Sequence, residues 1–127
     1  MFVVFGNHEF DEESCERESV LRRRVAESDF YWLHSNISLT PCAGSARPRL
    51  AGANLVQTRI VQVGRLKVGL FGLSTRLAKT GLGLDYLDPL ETARTLVTDL
   101  RRRGADVVVA VTHLPWGEDL ARAAGCR

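Results

Sequence analysis

Lysine is nearly absent from this chain. Two lysines stand beside fifteen arginines, and with fifteen acidic residues the formal net charge over 127 residues is only +2. A balance that close to neutral selects no class of partner by itself. Cysteine is also scarce. Cys15, Cys42 and Cys126 are the only three, and none forms a CxxC pair, which excludes zinc-knuckle and thioredoxin-type motifs. They read as free thiols. No apolar run approaches the ~18 residues that a membrane span requires. The first residues lack the basic segment and small-residue cleavage site of a signal peptide. Collagen, low-complexity disorder and a disulfide scaffold are excluded by composition.

What is present suits one globular domain, with 45% hydrophobic and 25% charged residues. The arginines cluster at Arg22-Arg23-Arg24 and Arg101-Arg102-Arg103. No aromatic residues interleave with them, and acids lie close by (Glu16, Glu18, Glu27, Asp99). They therefore read as solvated helix faces rather than as a nucleic-acid surface.

The pattern alternates between strand and helix. Phe2–Phe5 is a short apolar run ended by Gly6, a strand signature. Residues 12–28 form a helix with Cys15, Val20, Leu21 and Val25 as a narrow apolar stripe. Phe30–Ile37, rich in aromatic and β-branched residues, reads as one strand. The Pro/Gly-bearing stretch from Thr40 to Asn54 is a loop. Thr58–Val63 and Lys67–Leu73, separated by Gly64-Arg65, form a hairpin. The clearest helix begins at Asp88, with Asp88 as N-cap, Pro89 at the first helical position and Glu91 at capping-box spacing. Leu90, Ala93, Leu96, Val97 and Leu100 recur on one face, and Gly104 ends it. Asp106–Thr112 carries an unbroken Val-rich run and reads as a strand buried on both faces. Trp116–Ala124 begins another helix. The class is α/β.

Two polar clusters follow strands directly: Gly6-Asn7-His8-Glu9-Phe10-Asp11 and Thr112-His113. In open α/β sheets, ligands gather beyond the carboxyl ends of strands. Asparagine offers a neutral oxygen and histidine a nitrogen, a donor set that suits Mn, Fe, Zn or Co. Gly6 permits close backbone approach.

These residues carry a resemblance. Gly6-Asn7-His8-Glu9-Phe10-Asp11 resembles the GNHEFD motif of calcineurin-like metallophosphoesterases, in particular the 5′-nucleotidase branch. Ser35-Asn36-Ile37, the segment Lys67–Thr75 and the segment Leu100–Leu114 resemble later features of that branch in the same order. The resemblance implies an α/β fold, part of a four-layer α/β/β/α sandwich. It implies hydrolysis of a phosphomonoester, with nucleotides among the candidates, by a hydroxide activated between two divalent ions (Mn, Fe, Zn, Co or Mg). Asn7 and His113 would be ligands of one ion. His8 would stand beside the phosphate as a catalytic residue, and Asp11 would hydrogen-bond His8 and aim it. Glu9 and His34 read as structural, and Asp106 and Asp119 as capping or solvated residues.

The family's D-x-H, G-D and G-H-x-H motifs do not occur in the sequence. The expectation is an internal piece of a catalytic domain, 1–127, truncated at both ends and without a complete site of its own. The competing readings are a catalytically inactive fragment of the same fold and an arginine-rich nucleic-acid-binding module.

Overall fold

The computed structural model describes residues 1–10, 20–39, 50, 52–76, 84–117 and 119. In chain order the elements are β1 (Phe2–Val4), α1 (Val20–Glu27), β2 (Tyr31–Leu33), β3 (Ile37–Leu39), β4 (Leu55–Val56), β5 (Thr58–Val63), β6 (Leu66–Ser74), β7 (Leu84–Tyr86), α2 (Pro89–Arg102) and β8 (Val107–His113). Three strands form a parallel sheet in the order β1-β2-β4, and three more form a mixed sheet in the order β5-β6-β8. A short antiparallel pair, β3-β7, completes the described strands.

The helices lie on the outer faces. Leu21 and Val25 of α1 pack with Phe5, Phe10, Ile37 and Leu50, and Trp32 flanks that cluster. Phe5 and Trp32 stack with ring centroids 4.8 Å apart. Ala93 and Leu100 of α2 pack with Phe71, Leu73 and Ala105. Each fully buried Leu or Phe contributes about 1.5–3 kcal/mol. Successive residues of a strand face opposite ways, so Phe71 and Leu73 point toward α2 while Leu70, Gly72 and Ser74 point the other way. A Cβ on Gly72 would come within 2.5 Å of Leu33 Cβ and 3.1 Å of Val4 Cγ2. The two sheets therefore meet face to face at that glycine, giving the layer order α1, parallel sheet, mixed sheet, α2.

Several sequence expectations hold in detail. The β5-β6 hairpin turns at Gly64-Arg65 with Val63 paired to Leu66. Gly64 has φ +59° and no non-glycine residue has positive φ among those described, the pattern of a II′ turn. Asp88 caps α2, accepting from the Glu91 N–H at 2.9 Å. The Glu91 carboxylate pairs with Arg94 instead of closing the capping box. Arg102 and Arg103 pair with Asp99, and these contacts hold the Asp99 carboxyl below its usual range.

Other expectations are corrected. The helix drawn over 12–28 is described only as Val20–Glu27, and Val20 faces solvent; residues 11–19 lie outside the described set, Cys15 among them. The single strand drawn over Phe30–Ile37 is two strands in different sheets, divided at His34-Ser35-Asn36. The strand buried on both faces is instead, among the described residues, the edge of its sheet. Val107 and Val109 are each 40% exposed. They alternate onto the same face as His113, beyond the reach of the parallel sheet. The helix drawn over Trp116–Ala124 falls largely outside the described residues.

An edge strand with exposed valines pairs readily with other chains. Concentration-dependent association of this chain is the expected behaviour, and Val109→Lys should reduce it. Light scattering across a dilution series checks this; equal association of both proteins would rule out β8 as the sticky edge.

Candidate functional site

Parallel strands deliver their carboxyl ends to one rim of the molecule. Behind β1 come Gly6, Asn7 and His8. Behind β2 come His34, Ser35 and Asn36, and behind β4 comes Gln57. His113 is the last residue of β8, which runs parallel to β6. The structure brings Asn7 and His113 together across 106 residues of sequence, with His113 Nε2 3.0 Å from Asn7 Oδ1. The amide oxygen only accepts, so the Nε2–H donates in this arrangement. The two residues belong to facing sheets, which is why their side chains converge on the crevice between those sheets.

Gly6 shapes that crevice. A Cβ there would lie 3.2 Å from His113 Cε1, 3.3 Å from His113 Nε2 and 2.8 Å from Glu9 Oε2. The glutamate tip can swing aside, but the imidazole is anchored at the strand end. Gly6→Ala is therefore expected to push the imidazole off Asn7 by a few tenths of an ångström while leaving the fold intact. A shifted His113 imidazole resonance at an unchanged thermal midpoint is the expected result. An unmoved resonance would show that the notch at Gly6 has no role.

Asn36 is the residue whose function the sequence did not disclose. It is fully buried. Its Nδ2 donates to the Ser74 carbonyl at 2.9 Å, and its Oδ1 accepts from the Ser74 N–H at 2.9 Å. Next to it, Ser35 Oγ accepts from the Gly72 N–H at 2.8 Å and donates to the Gln57 carbonyl, and the Ser35 N–H donates to the Gly72 carbonyl. Pairing of β5 with β6 ends at Phe71. Beyond that point, Ser35 and Asn36 continue the ladder along β6. They tie the carboxyl end of β2 to the strand that flanks His113.

The remaining candidates separate. His8 is exposed beside Asn7 and takes no part in the Asn7–His113 contact. Asp11 lies outside the described residues. His34 is half-buried, with Nδ1 3.2 Å from the Ile37 carbonyl. Burial pushes its pKa below the ordinary value, opposed by that hydrogen bond. It lines a cleft of about 530 Å³ with Ser35, Leu50, Leu55 and Gln57. Asp106 Oδ2 accepts from the Lys67 N–H at 2.7 Å, a capping role. Asp119 Oδ2 accepts from Thr112 Oγ1 at 3.0 Å, one residue from His113.

The architecture matches solved structures. A 5′-nucleotidase precursor from Thermus thermophilus superposes with a TM-score of 0.70 at 28% identity, covering 96% of this chain and 23% of that one. NAD nucleotidase from Haemophilus influenzae gives 0.72 at 19%, with the same coverages of 96% and 23%. A calcineurin-like phosphoesterase from Bacillus subtilis gives 0.63 at 21%, covering 87% and 34%. This is the calcineurin-like phosphoesterase fold. No family model matches the sequence, and no curated protein does. The chain spans less than a quarter of the length of the two nucleotidases.

Within a phosphoesterase fold, the donor set at the crevice can be tested for fit to a divalent ion. Two ligands bound at about 2.1 Å on adjacent corners of an octahedron stand about 3.0 Å apart. The Asn7–His113 separation has that value. Among the described residues no group of three or more His, Cys, Asp or Glu side chains gathers to hold an ion. The crevice thus presents an oxygen and a nitrogen donor of the types that a divalent ion takes.

Proposed function

We propose that this chain is the part of a metal-dependent phosphoesterase catalytic domain that supplies two ligands of one ion and the histidine that faces the phosphate. The observation that carries the reading is the convergence of Asn7 Oδ1 and His113 Nε2 at 3.0 Å from opposite ends of the sequence. The motif spacing around Asn7 and the fold's resemblance to nucleotidases support it.

Asn7 and His113 would hold the ion, and further chain would supply the remaining ligands, including a carboxylate bridging a second ion. A divalent ion contributes Lewis-acid polarisation of a phosphoryl oxygen and a water of lowered pKa. The chain's own residues do the rest. Gly6 lets His113 approach the strand end. Asn36 and Ser35 hold the crevice's back wall. His8, exposed beside Asn7, would hydrogen-bond a phosphoryl oxygen and deliver a proton to the leaving oxygen. Asp11 would orient it. The substrate class is a phosphomonoester, with nucleotides the first to test. The exposed valines of β8 favour a domain that continues beyond these residues and covers that face.

The test is zinc or manganese binding to the wild-type chain and to His113→Ala, together with hydrolysis of p-nitrophenyl phosphate. Weak binding that His113→Ala abolishes, with negligible turnover by the chain alone, is expected, because two ligands fall short of the three that a catalytic ion normally has. Binding that survives in His113→Ala would defeat the assignment.

A further inference from the structure

Ser74 is the last residue of β6 and is paired in register with His113 of β8. Directly paired residues of neighbouring strands project on the same face, about 4.8 Å apart. Ser74 is 1% exposed, and its hydroxyl oxygen has no hydrogen-bond partner among the described residues. Buried hydroxyls without partners are uncommon, because leaving one unsatisfied costs stability. Its backbone is fully committed, since Asn36 takes both its N–H and its C=O. The Thr75 N–H donates to the His113 carbonyl at 2.9 Å, so the two strand ends are locked side by side. On His113, Nε2 faces Asn7, and Nδ1 has no hydrogen-bond partner among the described residues. Two unpartnered polar groups thus stand next to each other on one face of one sheet.

We propose that Ser74 is a positioning residue for His113, its hydroxyl pairing with the His113 Nδ1. The inference rests on the metal reading above. A hydroxyl both donates and accepts, which suits a ring that changes tautomer. While Nε2 keeps its proton and donates to Asn7, the Ser74 O–H donates to the bare Nδ1. When Nε2 turns its lone pair to an ion, the proton resides on Nδ1 and Ser74 Oγ accepts it. The ring plane is held toward Asn7 in both arrangements. Ligating histidines commonly have their second nitrogen anchored this way, and loss of the anchor typically weakens metal affinity by about 10–100-fold.

The experiment uses the chain labelled with ¹⁵N-histidine, whose three imidazoles are assigned from single substitutions, and zinc as the titrant. In Ser74→Ala, the His113 Nδ1 resonance should shift while His8 and His34 stay in place. The zinc dissociation constant should rise about 10-fold or more. An unmoved Nδ1 resonance, or zinc bound as tightly by Ser74→Ala as by the wild type, overturns the proposal. A wild-type chain that takes up no zinc overturns the metal reading, while the Nδ1 resonance still decides the hydrogen bond.

Discussion

On the proposed reading, His8→Ala in the complete protein should lower phosphomonoester turnover by about 10²–10⁴-fold, the range for losing a positioned acid–base group. Metal content should stay the same. The reasoning is geometric. His8 follows Asn7 on the turn behind β1, but it is exposed and lies outside the Asn7–His113 contact. A side chain placed that way can reach a phosphate at the rim without being a ligand. Asn7→Ala should have the opposite signature. Removing Oδ1 strips the crevice of one of its two convergent donors, so the ion is lost first and turnover falls as a consequence. Metal analysis by atomic emission, paired with hydrolysis rates for both variants, separates the two roles. Full turnover in His8→Ala, or undiminished metal in Asn7→Ala, would reverse the assignment.

Asn36→Ala is the substitution with the largest expected effect on folding. Asn36 supplies a donor and an acceptor to the Ser74 backbone at 2.9 Å each, as a neighbouring strand would. Alanine leaves a buried N–H and a buried C=O without partners, and each such group costs about 1–3 kcal/mol. A loss of about 3 kcal/mol is expected, a large share of the roughly 5–15 kcal/mol that stabilises an ordinary domain. The effect should also reach the crevice, because Ser74 flanks His113 in the ladder. Urea denaturation of the two proteins gives the free energy. Asn36→Gln, with the same groups on a longer stem, should recover little of it, because the extra methylene has no room at a fully buried site. A midpoint within experimental error of wild type would show that the ladder does not depend on the side chain.

Much of this protein is legible along the chain because the signals are local. Asp88, Pro89 and Gly104 mark the ends of α2 through capping geometry that depends only on nearby backbone. Gly64-Arg65 marks the hairpin for the same reason. The polar cluster after Phe2–Phe5 marks a strand end with donors suited to a metal, and Thr112-His113 marks another. Local pattern misled in two places. Phe30–Ile37 has the composition of one strand, yet the chain divides at His34-Ser35-Asn36 because Ser35 and Asn36 satisfy β6 with their side chains, 37 and 38 residues away. The valine run of β8 has the composition of a strand covered on both faces, yet it lies at a sheet edge. Composition reports how apolar a strand is, and only neighbours decide what covers it.

The sequence by itself determined the class of elements, the ends of α2, the hairpin and the identity of the crevice donors, all of which follow from short-range backbone and side-chain chemistry. Tertiary structure alone decided that Asn7 and His113 meet, that Gly6 leaves room for the imidazole, that Asn36 extends a β-ladder, and that Ser74 is buried beside His113 with a hydroxyl unpartnered among the described residues. Each of these depends on two sheets being brought face to face at Gly72. That contact is set by the packing of Leu33 and Val4 against a position without a side chain, and no spacing along the chain encodes it.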